Sequence, residues 1–359
     1  MIKGIYIDVQ GGVMFYSAAI KNCDSNISLS IDIAKKILIE VLRYRRVSES
    51  HLACDSTLCQ KCLDPHLSKV VLSVENNQPV TFVLPAFPGK SPNPAKVIGP
   101  LPDMAEQQAL EFLQQLCERI KLYYSPGARI ILASDGRVFS DVIGINDENV
   151  TAYQKEISLM IKTLDLNFIS TFNLEEIYEG FSFDQMRNQL MQQYGEPLST
   201  LRESVSRGKS TGASVDDIEA NRLYMGITRF LFEDALVPGQ VRSRTSIQKE
   251  SRFRAYEVIQ RSKAWSELIE SEFPYAVRLS IHPQSCGSKK IGIRLIEPDN
   301  WQTPWHGVAV QVDGQYILMK RAHAEALGAS MVMRFGRASH YVLKNSDTLK
   351  RKSGVKNEY

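Results

Sequence analysis

The 359-residue chain has no long uninterrupted apolar run, and its amino-terminal stretch MIKGIYIDVQGG interrupts its apolar residues with an acid and polar groups. Neither a membrane span nor a secretory signal is therefore expected. An excess of one charge is equally lacking. With 43 basic and 40 acidic residues the net charge is +3, which argues against a broad nucleic-acid-binding face and confines any anion site to a local cluster. Cysteine is sparse: six in a chain of this length, without a secretion signal, read as reduced thiols of a cytoplasmic protein rather than a disulfide framework. There is no internal repeat, and no Gly/Ser- or Pro-rich linker separates Ile31 from Leu343. One main domain over residues 31–345 is expected, preceded by a segment (1–30) of unassigned role and followed by a polar tail (346–359).

With 43% hydrophobic and 23% charged residues, the chain can bury a sizeable core. Ile33, Ile37, Leu38, Val41 and Leu42 recur at helical spacing within Ile31 to Tyr44. Asp103 followed by Glu106 forms a capping-box pattern ahead of a helix running to Tyr124, and further helices are expected near Val150–Thr163, Val215–Asp234 and Ile247–Glu272. The polar run Leu198 to Gly212 reads as a mobile connection. VTFVL (Val80–Leu84), RIILA (Arg129–Ala133), Asn167–Thr171 and AVRLSI (Ala276–Ile281) read as strands. Their alternation with helices predicts an α/β fold with a mostly parallel sheet flanked by helices. Asp313-Gly314, between two apolar runs, marks a carboxy-terminal antiparallel hairpin.

Three strands end directly in residues suited to chemistry, which is where open α/β sheets bind ligands. VTFVL leads into PAFPGKSPNPAK, a segment too rich in proline for regular structure, which offers Gly89, Lys90, Ser91 and Lys96 to a phosphate. It is not a P-loop, because Leu84 stands where the first glycine belongs. A rigid surface loop with solvated lysines is the alternative. RIILA leads into Asp135, with Arg137 and Asp141 close by, although Ser-Asp-Gly is also an ordinary turn. AVRLSI leads into His282, and His306 follows in TPWHGVAV. Lys289 follows His282 closely. Arg222 and Arg229, seven residues apart on one helix with Tyr224 between them, form either an anion clamp or part of a solvated salt-bridged face. Phe87 and Trp305 either frame an aromatic ligand or fill the core.

His51, Cys54, Cys59, Cys62 and His66 fall within sixteen residues, with Cys59 and Cys62 in CxxC spacing. A zinc site usually pairs two such couples, and the second is missing from this stretch. Reduced thiols are preferred and no metal is expected.

The stretches LPAFPGKSPNPAKVIGPLPDMAE, LASDGRVFSDVIGI, NRLYMGITRFLFED, VRLSIHP and TPWHGVAVQVDGQYILMKRAHAEALGA together resemble the pyoverdine/dityrosine biosynthesis proteins, which include the isocyanide (isonitrile) synthases. The resemblance runs from about Leu84 to Ala329. It implies a modified Rossmann-like fold without a nicotinamide cofactor, in keeping with the lack of a G-x-G-x-x-G motif. No other cofactor is expected. It also implies a reaction in which the α-amine of L-tyrosine or L-tryptophan becomes an isonitrile whose carbon comes from ribulose 5-phosphate. The product would pass to an iron- and 2-oxoglutarate-dependent oxygenase. Lys90, Asp135, His282 and His306 are then the catalytic candidates, with His282 or His306 as base and Lys90 as a possible Schiff-base lysine. Lys90 and Lys96 would hold the phosphate, and Arg278 or Arg229 the amino-acid carboxylate. A sugar-phosphate isomerase or aldolase, and a non-catalytic phosphosugar-binding protein, remain open on the residues alone.

Overall fold

The computed structural model describes residues 14–48, 54, 59–297 and 302–344, with side chains from residue 28 onward. His51 and the tail beyond Lys344 lie outside the described residues. Five strands, β1 (Val80–Pro85), β2 (Ala128–Ala133), β3 (Ile169–Phe172), β4 (Val277–Ser280) and β5 (Lys290–Gly292), form one sheet in the order β3-β2-β1-β4-β5. Every neighbouring pair is parallel. The chain winds outward through β1, β2 and β3, then crosses back to β4. This is the doubly wound order, and its switch point lies between β1 and β4.

The helices are, in chain order, α1 (Met14–Leu42), α2 (Gln60–Glu75), α3 (Met104–Lys121), α4 (Gly136–Ile143), α5 (Asp147–Thr163), α6 (Leu174–Ile177), α7 (Phe183–Tyr194), α8 (Leu198–Arg207), α9 (Val215–Ala235), α10 (Arg244–Glu272) and α11 (Arg321–Ala326). Strand side chains alternate, so each face of the sheet is apolar and requires its own cover. Phe82, Leu84, Ile130 and Leu132 pack with Ile37, Val41, Leu113 and Tyr153 of α1, α3 and α5. Val83, Ile131 and Ala133 pack on the other side with Val138, Leu190, Leu231 and Trp265 of α4, α7, α9 and α10. No helix of the described residues is long and apolar enough to cross a membrane.

Three segments differ from the expectation. The first helix begins at Met14, well before Ile31. The polar run after Leu198 is α8 rather than a mobile connection, because Leu201 and Val205, four apart, are buried while Ser204 and Arg207 bond the Asp217 carboxylate at 2.6 and 2.9 Å. The SDGRVFSD segment is likewise not only a turn, since Gly136–Ile143 is helical.

The expected hairpin is there, formed by β6 (Val308–Val312) and β7 (Gln315–Met319). Asp313 and Gly314 both take positive φ, 49° and 82°, as a two-residue turn between twisted strands requires. With β8 (Ser330–Arg334) and β9 (Arg337–Leu343) the hairpin forms a second sheet in the order β7-β6-β9-β8. It is mixed, because β6 and β9 run parallel. Ala309 and Leu318 rest on Met104 and Ala105 at the start of α3, which brings this sheet beside the carboxyl ends of the first.

At those ends the loops after β1 and β2 touch. Ser134 Oγ donates to the Phe87 carbonyl at 3.0 Å, and Phe87 (φ 59°) and Gly89 (φ 128°) flank Pro88 in left-handed conformations. A Cβ on Gly136 would lie 1.8 Å from the Pro88 carbonyl oxygen. Gly136→Ala should therefore destabilise the protein by about 3 kcal/mol or more in denaturant unfolding. Gly99→Ala, where a Cβ meets nothing within 4 Å, should stay within about 0.5 kcal/mol of wild type. Equal effects at the two positions would show that the loop contact is not tight.

Candidate active site

The lysines of the proline-rich loop point inward. Lys90 Nζ lies 2.9 Å from Asp103, 2.8 Å from Glu106 and 3.0 Å from the Pro304 carbonyl, and its side chain is 0% exposed. Burial alone would discharge this ammonium, but the two carboxylates outweigh burial and hold its pKa above the ordinary value. Asp103 and Glu106 also form the α3 capping box, the Glu106 carboxylate accepting the Asp103 amide at 3.0 Å. Burial raises Glu106 to about 7 against the pull of Lys90. The Tyr153 hydroxyl donates to its second oxygen at 3.1 Å.

Lys96 and Ser91 are committed in the same way, both to Asp234 near the end of α9, at 2.5 and 2.8 Å. The Ser91 amide donates to the Trp305 carbonyl at 2.8 Å, and Asn93 Nδ2 donates to the Glu233 and Leu236 carbonyls. The loop is thus a buried strap rather than a phosphate cradle or a solvated surface loop. A Schiff-base role for Lys90 would need a depressed pKa, and the carboxylates raise it. Trp305 is buried against Phe87, ring centroids 5.3 Å apart, so both aromatics are core.

The strap positions His306. Its Nδ1 is 2.8 Å from the Thr303 hydroxyl, its Nε2 is 3.9 Å from Asp234, and its ring packs edge-on to Phe230 at 4.7 Å. Burial lowers its pKa to about 4; Asp234 opposes this, while Lys96, Lys90 and His282 add to it. His306 is therefore neutral near pH 7. His282 is exposed, yet burial of the charged form, with Arg46 and Lys290, lowers its pKa too.

Asp135, just after β2, is half-buried and has no ion-pair partner among the described residues. Its Oδ1 has no hydrogen-bond partner, and burial raises it to about 7. Its charge and those of Glu106 and Asp103 act on Tyr153, so the acidic groups and the phenol share one neighbourhood. Arg278 on β4 carries Nε and Nη1 unpartnered, with Nη2 3.3 Å from Ser266 Oγ, and burial lowers it to about 10. Lys290 faces it in register across β5, and its own pKa is lowered by burial and then by Arg278.

The remaining candidates lie elsewhere. Arg137 is buried but committed, bonding Glu175 and Asp147 at 2.7 Å each and Thr151 at 2.6 Å. Asp141 is chelated by Arg261. Both belong to a structural network because the segment is a helix. Arg222 and Lys289 are exposed, Arg229 pairs with Glu233 at 3.0 Å, and Tyr224 stacks on Tyr256 at 4.5 Å. The helix-surface reading holds for Arg229, and no clamp forms. Tyr153 and Thr303 were not singled out from the sequence, and Asp103 and Glu106 were seen only as a cap. Two carboxylates three apart at a helix start, beside a lysine loop, were the available signal.

A parallel sheet with a switch point and titratable groups lacking partners nearby marks where an α/β fold binds a ligand. The family profile of the pyoverdine/dityrosine biosynthesis proteins matches residues 70–332. An L-tryptophan isonitrile synthase of Fischerella ambigua is 45% identical over 87% of this chain and 95% of its own length. An L-tyrosine isonitrile synthase of Pseudomonas aeruginosa is 42% identical over 86% of this chain and 93% of its own. The crystal structure of the PvcA protein from Pseudomonas aeruginosa superposes with a TM-score of 0.81 at 42% identity, covering 87% of this chain and 100% of that one. The chain belongs to the pyoverdine/dityrosine biosynthesis protein family and is an enzyme of the isonitrile-synthase type.

Asp135 makes a pH-dependent prediction. Its folded pKa of about 7 lies above the unfolded value, so the folded state keeps a proton that the unfolded chain loses above ~4. Stability from this group is full below that pH and is lost as pH rises through 7. Asp135→Asn should unfold like wild type at acidic pH but be ~1–3 kcal/mol more stable at alkaline pH. A pH-independent difference in unfolding free energy would refute the assignment.

Proposed function

We propose that this enzyme converts the α-amino group of an aromatic L-amino acid, tyrosine or tryptophan, to an isonitrile, taking the carbon from ribulose 5-phosphate. The observation that carries this reading is near-full-length similarity, at 41–45% identity, to four synthases named for L-tryptophan or L-tyrosine. In this reaction the amine condenses with the sugar ketone, phosphate departs, and carbon–carbon cleavages leave one carbon on nitrogen. The product would be a substrate for an iron- and 2-oxoglutarate-dependent oxygenase.

The chemistry begins by removing a proton from an α-ammonium of pKa ~8. Asp135 takes that proton: its pKa of about 7 matches the donor, whereas His306, at about 4, is too weakly basic. His306 instead stays neutral and orients the substrate by hydrogen bonding, with the exposed His282 near it. Arg278 holds the amino-acid carboxylate, since Arg229 is already paired.

Pure enzyme given ribulose 5-phosphate with tyrosine or with tryptophan should form an isonitrile, seen by its infrared stretch and by mass. No product from either amino acid sinks the proposal. With the productive amino acid, kcat/KM should rise as pH passes through about 7, and Asp135→Asn should remove this limb and cost ~10²–10⁴-fold. An unchanged pH profile in the variant would dismiss Asp135 as the base. Arg278→Met should raise the KM for the amino acid by ~10–100-fold and leave that for ribulose 5-phosphate unchanged. A matching rise for both substrates would exclude the carboxylate role.

A further inference from the structure

The cysteine cluster does not belong to the site just described, and the fold completes it. Cys54 Sγ lies 3.4 Å from Cys62 Sγ, while Cys286 Sγ is 3.6 Å from both Cys59 and Cys62. All four sulfurs lie within 4.8 Å of one another. The couple expected from the sequence was absent because the fourth sulfur comes from the β4–β5 connection, 224 residues beyond Cys62.

We propose that Cys54, Cys59, Cys62 and Cys286 bind one zinc ion as a closed structural tetrathiolate. The spacing selects the ligand. Zn–S bonds of ~2.3 Å at tetrahedral angles put sulfurs ~3.8 Å apart, close to the separations found here. A disulfide needs ~2.0 Å and would join the sulfurs in pairs, whereas here Cys286 is equally near two partners. The sulfurs are also too close together to surround a multi-iron cluster. With four protein ligands no coordination position is left for substrate, so the ion has a structural role.

The four ligands come from three segments of the chain, each held by contacts of its own elements or its neighbours, which gives a preformed site. Cys59 and Cys62 sit at the start of α2, where the helix terminus favours thiolate. Cys286 is carried by a loop hydrogen-bonded to the segment after α1, through Gln284 N to the Arg46 carbonyl at 3.1 Å and Ser48 N to the Gln284 carbonyl at 3.2 Å. Arg45 Nη2 donates to the Cys54 carbonyl at 2.6 Å, and its Nη1 has no hydrogen-bond partner. Zinc displaces four thiol protons and leaves a site of charge −2, and the guanidinium beside it offsets part of that charge. His66 is buried in α2 outside the cluster. Three of the ligands precede residue 70, where the family match begins.

The consequence is a staple between the amino-terminal helices and the loop that follows His282. The full-length protein as isolated should carry one equivalent of zinc per chain through gel filtration. Protein produced with cobalt should show the sulfur-to-cobalt charge-transfer and visible bands of a tetrahedral tetrathiolate. Cys286→Ser should lose the metal, and Cys117→Ser, a buried cysteine of α3, should keep it. Stripping the ion from wild type should speed amide exchange in residues 283–289 and leave β2 amides unchanged. This readout stands even if Cys286→Ser does not fold, and none of these measurements depends on synthase activity. The proposal is overturned by metal-free wild type that gives no cobalt–thiolate spectrum, by iron in place of zinc, or by disulfides among these cysteines in the intact mass.

Discussion

Burying the Lys90 ammonium is the constraint on which the site is built. An ion taken from water into protein costs several kcal/mol unless its partners are well placed. Here Asp103, Glu106 and the Pro304 carbonyl all lie within 3.0 Å of it. One cation therefore joins the loop after β1, the start of α3 and the turn that carries His306. The geometry is over-determined, because the same carboxylates cap α3. Losing the lysine would leave two buried carboxyl groups without their counter-charge, a larger penalty than the cluster's net contribution.

From that anchor the rest of the strap follows. With Lys90 drawn toward α3, Phe87 and Gly89 must turn the backbone through left-handed conformations, and Pro88 is pressed on Gly136. Farther along, Ser91 and Lys96 converge on Asp234 and fix the end of α9. His306 then lies between two internal ion clusters without belonging fully to either. The polar groups divide accordingly. Paired charges such as Lys90, Lys96, Arg137 and Asp141 hold elements together. Asp135 and Arg278, with buried atoms lacking partners, are costly to folding, and that cost is expected where a substrate will supply the missing partner.

Much of the fold was legible because its signals are local. Four strands of the parallel sheet follow from short β-branched or apolar runs, the α3 cap from Asp103 and Glu106, and the hairpin from Asp313-Gly314. Strand ends rich in polar residues directed attention to the Lys90 loop, Asp135 and His282. The partners were not legible, since they depend on contacts far apart in sequence. Lys90 and Lys96 look like phosphate ligands until Asp234, 138 residues beyond Lys96, and the α3 carboxylates are brought against them. Arg137 and Asp141 were misread because α4 turns them into ion pairs with other helices. Cys286 escaped notice for the same reason.

Proton affinity decides among the groups that remain. Each pKa unit of mismatch between donor and acceptor is worth ~1.4 kcal/mol. His306, held at about 4 by burial, would face a gap of roughly four units against an α-ammonium near ~8, a penalty of ~5 kcal/mol before any bond to carbon forms. Asp135, at about 7, faces roughly one unit. The histidine's low basicity is useful in another way, because a neutral imidazole close to Lys90 and Lys96 adds no further positive charge and can accept or donate a hydrogen bond as its tautomer allows. In the proposed reaction, burial would separate the two roles: the carboxyl would take the proton, and the imidazole would be too weakly basic to compete for it.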